Sequence, residues 1–203
     1  MNQSTKKEGQ PDLTVTIMAG GKSSRMGTDK SFVPFRGRPL IEHVLEKVNK
    51  LGNETIIITN NPAGYDYLGL PIFGDLYANL GPLGGLHSAL HHAANPYILL
   101  VACDMPWLSR PLLTYLVSLR TTGDVVVPRW DKYPEPMHAV YRKSCLDSVE
   151  SNLRTGNLKL ISFYGEVSVR FVNRDEIEHF DPEGQSFANV NTPGDLESAQ
   201  ITK

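Results

Sequence analysis

The chain has 203 residues, 40% of them hydrophobic and 21% charged, with a formal net charge of -2. That length is most economically one domain with a sizeable core, and the charge balance excludes a general nucleic-acid binder, which carries a basic excess. Cys103 and Cys145 are too few for a disulfide framework, no apolar run reaches membrane-spanning length, and no signal-peptide core opens the chain, so a reducing cytoplasm is the expected location.

In chain order, Met1 to Asp12 is polar and reads as a disordered leader (1–12), followed by one domain over 13–203. Leu13 to Ile17 is a β-branched, apolar run that predicts a buried strand. It runs directly into Met18-Ala19-Gly20-Gly21-Lys22-Ser23-Ser24-Arg25-Met26-Gly27-Thr28-Asp29-Lys30. Small residues leave backbone N–H groups unmasked in a tight turn, and Lys22, Arg25 and Lys30 can close over an anion held there. A plain Gly-Gly connection is the bland alternative, since neither G-x-x-x-x-G-K-[ST] nor G-x-G-x-x-G is present. The three basic residues favour phosphate, and the combination suits a triphosphate.

Leu40, Ile41, Val44, Leu45, Val48 and Leu51 fall on one helical face that Gly52 ends. Thr55 to Ile58 predicts a central parallel strand, with a right-handed crossover from the first. Thr59-Asn60-Asn61-Pro62 then stands at a carboxyl strand end, either at a ligand edge or as an Asn-Pro turn. Pro71 to Phe73 is a short strand leading to Asp75, and a helix opens at Gly81-Pro82-Leu83-Gly84-Gly85. His87, His91 and His92 on that helix read as a solvated face rather than a metal site.

Tyr97 to Cys103 is the strongest strand, with Cys103 a buried thiol. It ends in Asp104, a carboxylate placed either to hold Mg²⁺ against a triphosphate or to satisfy local backbone N–H groups. Ser109 caps a helix with Pro111 in its first turn, and Asp124 to Pro128 is a strand. Tyr133 to Tyr141 ends in another strand, carrying His138. Helices are expected over Cys145 to Leu153 and Leu158 to Phe163, and Val167 to Val172 alternates as a late strand that could run antiparallel. Thr192, Pro193 and Asp195 form a helix start, and Asn189 and Asn191 would share one face of a strand before it.

In that order and spacing, the motifs resemble nucleotidyltransferases that activate phosphorylated small molecules, and most closely the molybdenum cofactor guanylyltransferase family. That family's loop reads Leu-Ala-Gly-Gly, a spacer, then Arg-Met-Gly-x-Asp-Lys; Met18 here replaces the Leu. Cys-Asp-Met-Pro at Asp104 and Asn-x-Asn-Thr-Pro at Asn189 to Pro193 are shared. The resemblance implies an α/β fold, a single doubly wound, mostly parallel sheet like the Rossmann-like nucleotide-diphospho-sugar transferases. It implies transfer of GMP from GTP to the phosphate of molybdenum-molybdopterin. It implies catalytic roles for Arg25, Lys30 and Asp104, with Asp104 on Mg²⁺. Nucleotide contacts would come from Met18, Ala19, Gly20, Gly21, Lys30, Thr59, Asn61, Asp75 and Asp104. The acceptor would meet His138, Asn189 and Asn191, although His138 also suits a core position. Thr59 stands where the family places a guanine-contacting Asn, so CTP is the rival nucleotide. A non-catalytic nucleotide-binding accessory protein is the rival class. Expected partners are the two substrates, with transient contact to molybdopterin-handling proteins or apo-molybdoenzymes, and neither nucleic acid nor membrane.

Overall fold

The structure, a computed structural model, describes residues 11–19 and 29–190. The strand β1 (Leu13–Met18) is followed, after residues outside that description, by a 3-10 turn at Lys30–Phe32. A two-strand hairpin, β2 (Pro34–Phe35) and β3 (Arg38–Pro39), comes next. Its turn residues Arg36 and Gly37 have φ of 47° and 79°, the paired left-handed conformations of a tight hairpin turn. The helix α1 (Leu40–Val48) then leads to β4 (Glu54–Ile58), β5 (Ile72–Phe73) and the helix α2 (Gly81–His92). They are followed by β6 (Tyr97–Ala102), α3 (Arg110–Ser118), β7 (Val125–Arg129), β8 (His138–Arg142), α4 (Leu146–Arg154), β9 (Val169–Asn173) and the short α5 (Arg174–Ile177).

Seven strands form one sheet in the order β5-β4-β1-β6-β8-β7-β9. All run parallel except β8, which is antiparallel to both neighbours. Alternation along each strand divides the core. Val15, Ile17, Leu99, Val101 and Val126 face α1, α3 and α5; Ile56, Ile58, Ile98, Leu100 and Val127 face α2 and α4. β1 and β6 are buried on both faces; β6 reads as a continuous apolar run, whereas β1 sets the β-branched Thr14 and Thr16 between Leu13, Val15 and Ile17. Each such fully buried aliphatic side chain contributes about 1.5–3 kcal/mol. This is the doubly wound, mostly parallel α/β sheet implied by the sequence motifs.

Several local expectations are corrected. α1 stops at Val48, with Leu51 buried in the turn beyond it. Leu158 to Phe163 is not a helix but a run of turns closed by i→i−3 bonds such as Ser162 N to Lys159 O, 2.9 Å. Leu160 and Phe163 are buried at a spacing that mimics one helical face. β9 runs parallel to β7; alternation reports burial of one face, not direction. The N-cap at Ser109 is present, its Oγ accepting from Leu112 N at 3.3 Å. His87 is buried rather than solvated, its ring edge-on to Tyr77, while His92 stacks on Phe73 at 4.1 Å.

Candidate active site

The register pairs Met18 with both Ile58 and Ala102, so β4, β1 and β6 end level. Two bonds carry the ladder one residue further, Ala19 N to Ile58 O at 2.9 Å and Cys103 N to Met18 O at 3.0 Å. The loops that follow therefore start side by side at the carboxyl edge, where open α/β sheets bind ligands. Across this edge Lys30 Nζ lies 3.3 Å from Asp104 Oδ2, with the two side chains 24% and 18% exposed. Lys30 and the acidic strand tip thus meet at the carboxyl edge.

A buried clamp holds Lys30 there. Asp29 Oδ1 accepts from Ser31 N at 3.0 Å and caps the 3-10 turn. Tyr65, wholly buried, stands between the two residues flanking Lys30: its hydroxyl is 2.9 Å from Asp29 Oδ2 and 2.7 Å from Ser31 Oγ. The phenol has one hydrogen, which the carboxylate accepts, and the Ser31 hydroxyl donates back. Its ring packs on Phe32, centroids 4.6 Å apart. Burial pushes the Tyr65 phenol up, and pushes the neighbouring Cys103 thiol up to about 12. Both stay protonated at neutral pH, so neither serves as a nucleophile. Nothing in the sequence around Tyr65 marks it out; only the polar residues on each side of Lys30 hint at a partner.

On the other flank, Thr59 is buried and its Oγ1 accepts from Asn61 N at 3.2 Å, so this side chain shapes its own turn. Asn61 is exposed. Asn60, which was not singled out from the sequence, pairs reciprocally with Asp75. Its Nδ2 donates to Asp75 Oδ2 at 2.7 Å and its Oδ1 accepts from Asp75 N at 2.8 Å. α2 comes close behind: a Cβ on Gly85 would sit 2.0 Å from Met18 Cε and 3.6 Å from Asp75 Oδ1. Met18, Asp75 and Gly85 therefore form one wall that any side chain at Gly85 would push inward.

The remaining candidates fall further along the edge. Val190 N donates to Asp104 O at 2.9 Å, which brings the neighbouring Asn189 to the same edge. Asn189 is exposed and outside any strand. His138 is fully buried under Phe187, ring centroids 5.2 Å apart, and neither ring nitrogen has a hydrogen-bond partner. Burial holds its pKa down at about 4, so the ring is neutral and covered in this arrangement. Gly20, Gly21, Lys22, Arg25, Asn191, Thr192, Pro193 and Asp195 lie outside the described residues.

Among the described residues no three His, Cys, Asp or Glu side chains gather to hold a metal by themselves. Asp104 still fits Mg²⁺: Lys30 engages only Oδ2, leaving Oδ1 as an oxygen donor at the strand tip. Mg²⁺ is commonly held by one or two carboxylates and shared with substrate phosphates.

A doubly wound sheet in which Lys30, at the end of a glycine-rich and basic stretch of sequence, meets an acidic strand tip at the carboxyl edge points to a nucleoside-triphosphate-using transferase. Comparison with known proteins agrees and is narrower. The MobA-like NTP transferase domain model matches residues 15–167. A probable molybdenum cofactor guanylyltransferase from Clostridium perfringens is 37% identical over 91% of this chain and 94% of its own. The molybdenum cofactor guanylyltransferase of Desulfosudis oleivorans is 34% identical over 93% and 94%. Among solved structures, molybdopterin-guanine dinucleotide biosynthesis protein A from Archaeoglobus fulgidus superposes with a TM-score of 0.79, at 30% identity over 92% of this chain and 96% of that one. The chain belongs to the MobA-like NTP transferase family.

Proposed function

We propose that the protein transfers GMP from GTP to the phosphate of molybdenum-molybdopterin in the cytoplasm, releasing pyrophosphate. The observation that carries this reading is the meeting of Lys30 and Asp104 at 3.3 Å across the carboxyl edge. Attack of a phosphate oxygen on the α-phosphorus needs in-line placement and charge neutralisation more than a protein nucleophile. Lys30, fixed by the Tyr65 clamp, neutralises charge on the α-phosphate and departing pyrophosphate, with Arg25 of the same loop as its partner. Asp104 would hold Mg²⁺ through Oδ1; when bound, the ion supplies further neutralisation of phosphate charge. Ala19 and the glycines after it cradle the phosphates, and Asn189 and Asn191 approach the acceptor from the Asp104 side.

Base selection follows from the Asn60–Asp75 pair, which presents a carboxylate and an amide beside Met18. Guanine offers adjacent N–H donors to a carboxylate and a carbonyl to an amide; cytosine does not offer that pattern. The departure at Thr59 is thereby offset by its neighbour. Transient docking to molybdopterin-handling proteins or apo-molybdoenzymes would deliver the acceptor and receive the product.

The test is pyrophosphate release from ATP, CTP, GTP and UTP in Mg²⁺ buffer, with and without molybdenum-molybdopterin. Release from GTP that depends on the acceptor is expected. Faster release from CTP would overturn the base assignment, and no acceptor-dependent release from any triphosphate would overturn the transfer.

A further inference from the structure

Behind the base wall stands a buried polar residue that the transfer does not use: Ser88, in the middle of α2 and wholly buried within the covered stretch Leu83 to Leu90. Serine is a poorer choice than alanine inside a helix, because its hydroxyl competes for backbone groups and must find partners once buried. Here the hydroxyl finds them both within the helix and outside it. Its Oγ donates to Gly84 O at 3.1 Å, back along α2, and accepts from Leu76 N at 2.8 Å. Leu76 follows Asp75, and its side chain is 48% exposed, so apolar packing does not hold this segment down.

The bond gains its meaning from the residue beside it. Asp75 N donates to Asn60 Oδ1, also at 2.8 Å. The N–H groups on the two sides of the Asp75 Cα are thus accepted by side-chain oxygens of different elements, Asn60 in the turn after β4 and Ser88 on α2. A peptide unit is planar, so pinning the units on both sides restricts φ and ψ of Asp75 and fixes the direction of its Cα–Cβ bond. Asn60 is exposed and Asp75 half-buried, so the Asn60 Nδ2 contact alone would hold the carboxylate loosely. α2 lies close enough to be the fixed support: a Cβ on Gly84 would sit 3.1 Å from Tyr77 O. Tyr77 Oη in turn donates to Glu150 Oε1 on α4 at 2.9 Å, which ties the far end of the segment to the next helix.

We infer that Ser88 is a positioning residue for base selection: through the Leu76 amide it sets where the Asp75 carboxylate meets the base of the nucleotide. This rests on the base reading proposed above. A carboxylate that accepts two adjacent N–H groups of guanine makes a two-point contact, which tolerates little displacement. Cytosine does not offer that pair, so CTP binding is indifferent to where Asp75 stands.

The test is calorimetric binding of GTP and CTP, in Mg²⁺ buffer, to wild type, Ser88→Ala, Asp75→Asn and the double variant. Alanine keeps the helix and removes the hydroxyl, so Ser88→Ala is expected to bind GTP about 10-fold more weakly and CTP within about twofold of wild type. In acceptor-dependent turnover the loss should fall on KM for GTP and not on kcat, a split that general loosening of the fold would not give. Asp75→Asn should weaken GTP binding by itself, and Ser88→Ala should add nothing in that background, because both act through one carboxylate. Amide hydrogen exchange checks the bond in wild type, where Leu76 N–H should be protected despite its exposed side chain. Unchanged GTP affinity in Ser88→Ala, an equal loss for GTP and CTP, or a loss that persists in the Asp75→Asn background overturns the positioning role. So does an unprotected Leu76 amide in wild type. Unaltered GTP affinity in Asp75→Asn overturns the base reading itself, and the role of Ser88 with it.

Discussion

The two halves of the carboxyl edge handle polar groups in opposite ways. On the β4, β1 and β6 side, side chains answer one another: Lys30 with Asp104, Tyr65 with Asp29 and Ser31, Asn60 with Asp75. Past the antiparallel β8 they do not. His138 has two unpartnered nitrogens, Glu135 an unpartnered carboxylate, and Arg129 only a neutral amide. In the first half the described polar side chains are held by one another with no ligand present. The second half leaves its polar groups less fully answered among the described residues, one of them, His138, sealed inside the fold. Reversal of strand direction at β8 marks the boundary between them.

Substitutions on each side should separate the halves. The largest effect is expected from Asp104→Asn, which keeps shape and removes the charge: kcat for pyrophosphate release should fall by about 10²- to 10³-fold, with GTP binding altered far less. Tyr65→Phe should come next. It leaves the ring on Phe32 but frees both flanks of Lys30, so we expect about a tenfold loss of kcat and about 1 kcal/mol of stability in urea titrations. In a Lys30→Ala background the same change should lose its effect on kcat, because the two act through one cation. Gly85→Ala displaces the Met18 side chain from its place beside Asp75. Calorimetry should show GTP bound several-fold more weakly, with the acceptor KM untouched.

The smallest effect on activity, and a distinct one on stability, is expected at His138. Its pKa in the folded protein is about 4, below the ordinary 6.5, so the unfolded chain takes up the proton first as pH falls. Its contribution is complete above about pH 6.5, is lost progressively down to about pH 4, and is flat below that; the full span is roughly 3 kcal/mol. His138→Leu should remove that acid limb in urea titrations at pH 7.5 and 4.5. A steep limb retained in the variant would place the titrating group elsewhere.

Strong patterns in the chain were legible beforehand where one physical requirement dominates. Runs rich in apolar and β-branched residues marked β1, β4 and β6, as strands covered on both faces require, and the carboxylate closing β6 stood out as a ligand-edge group. Ser109 capped its helix because a hydroxyl there meets an orphan N–H. What escaped was relational. Tyr65 means nothing until the turn after β4 folds back onto residues 34 and 36 positions earlier. Asn60 acquires a role only through Asp75, and Thr59, its more conspicuous neighbour, turns inward to its own backbone. The direction of β9 depends on the strand it joins, which no local pattern encodes. Leu160 and Phe163 gave a helical spacing to a run of turns, because turns with i→i−3 bonds bury residues at nearly the same interval.

Transfer of GMP requires attack at the α-phosphorus of GTP. GTP carrying a radiolabel at either the α- or the γ-phosphate can be incubated with the protein, Mg²⁺ and molybdenum-molybdopterin, and the cofactor then isolated. Label from the α-position should appear in the cofactor in proportion to pyrophosphate released, and label from the γ-position should leave entirely with pyrophosphate. Label from the γ-position in the cofactor, or α-label retained wholly in free nucleotide, would contradict it.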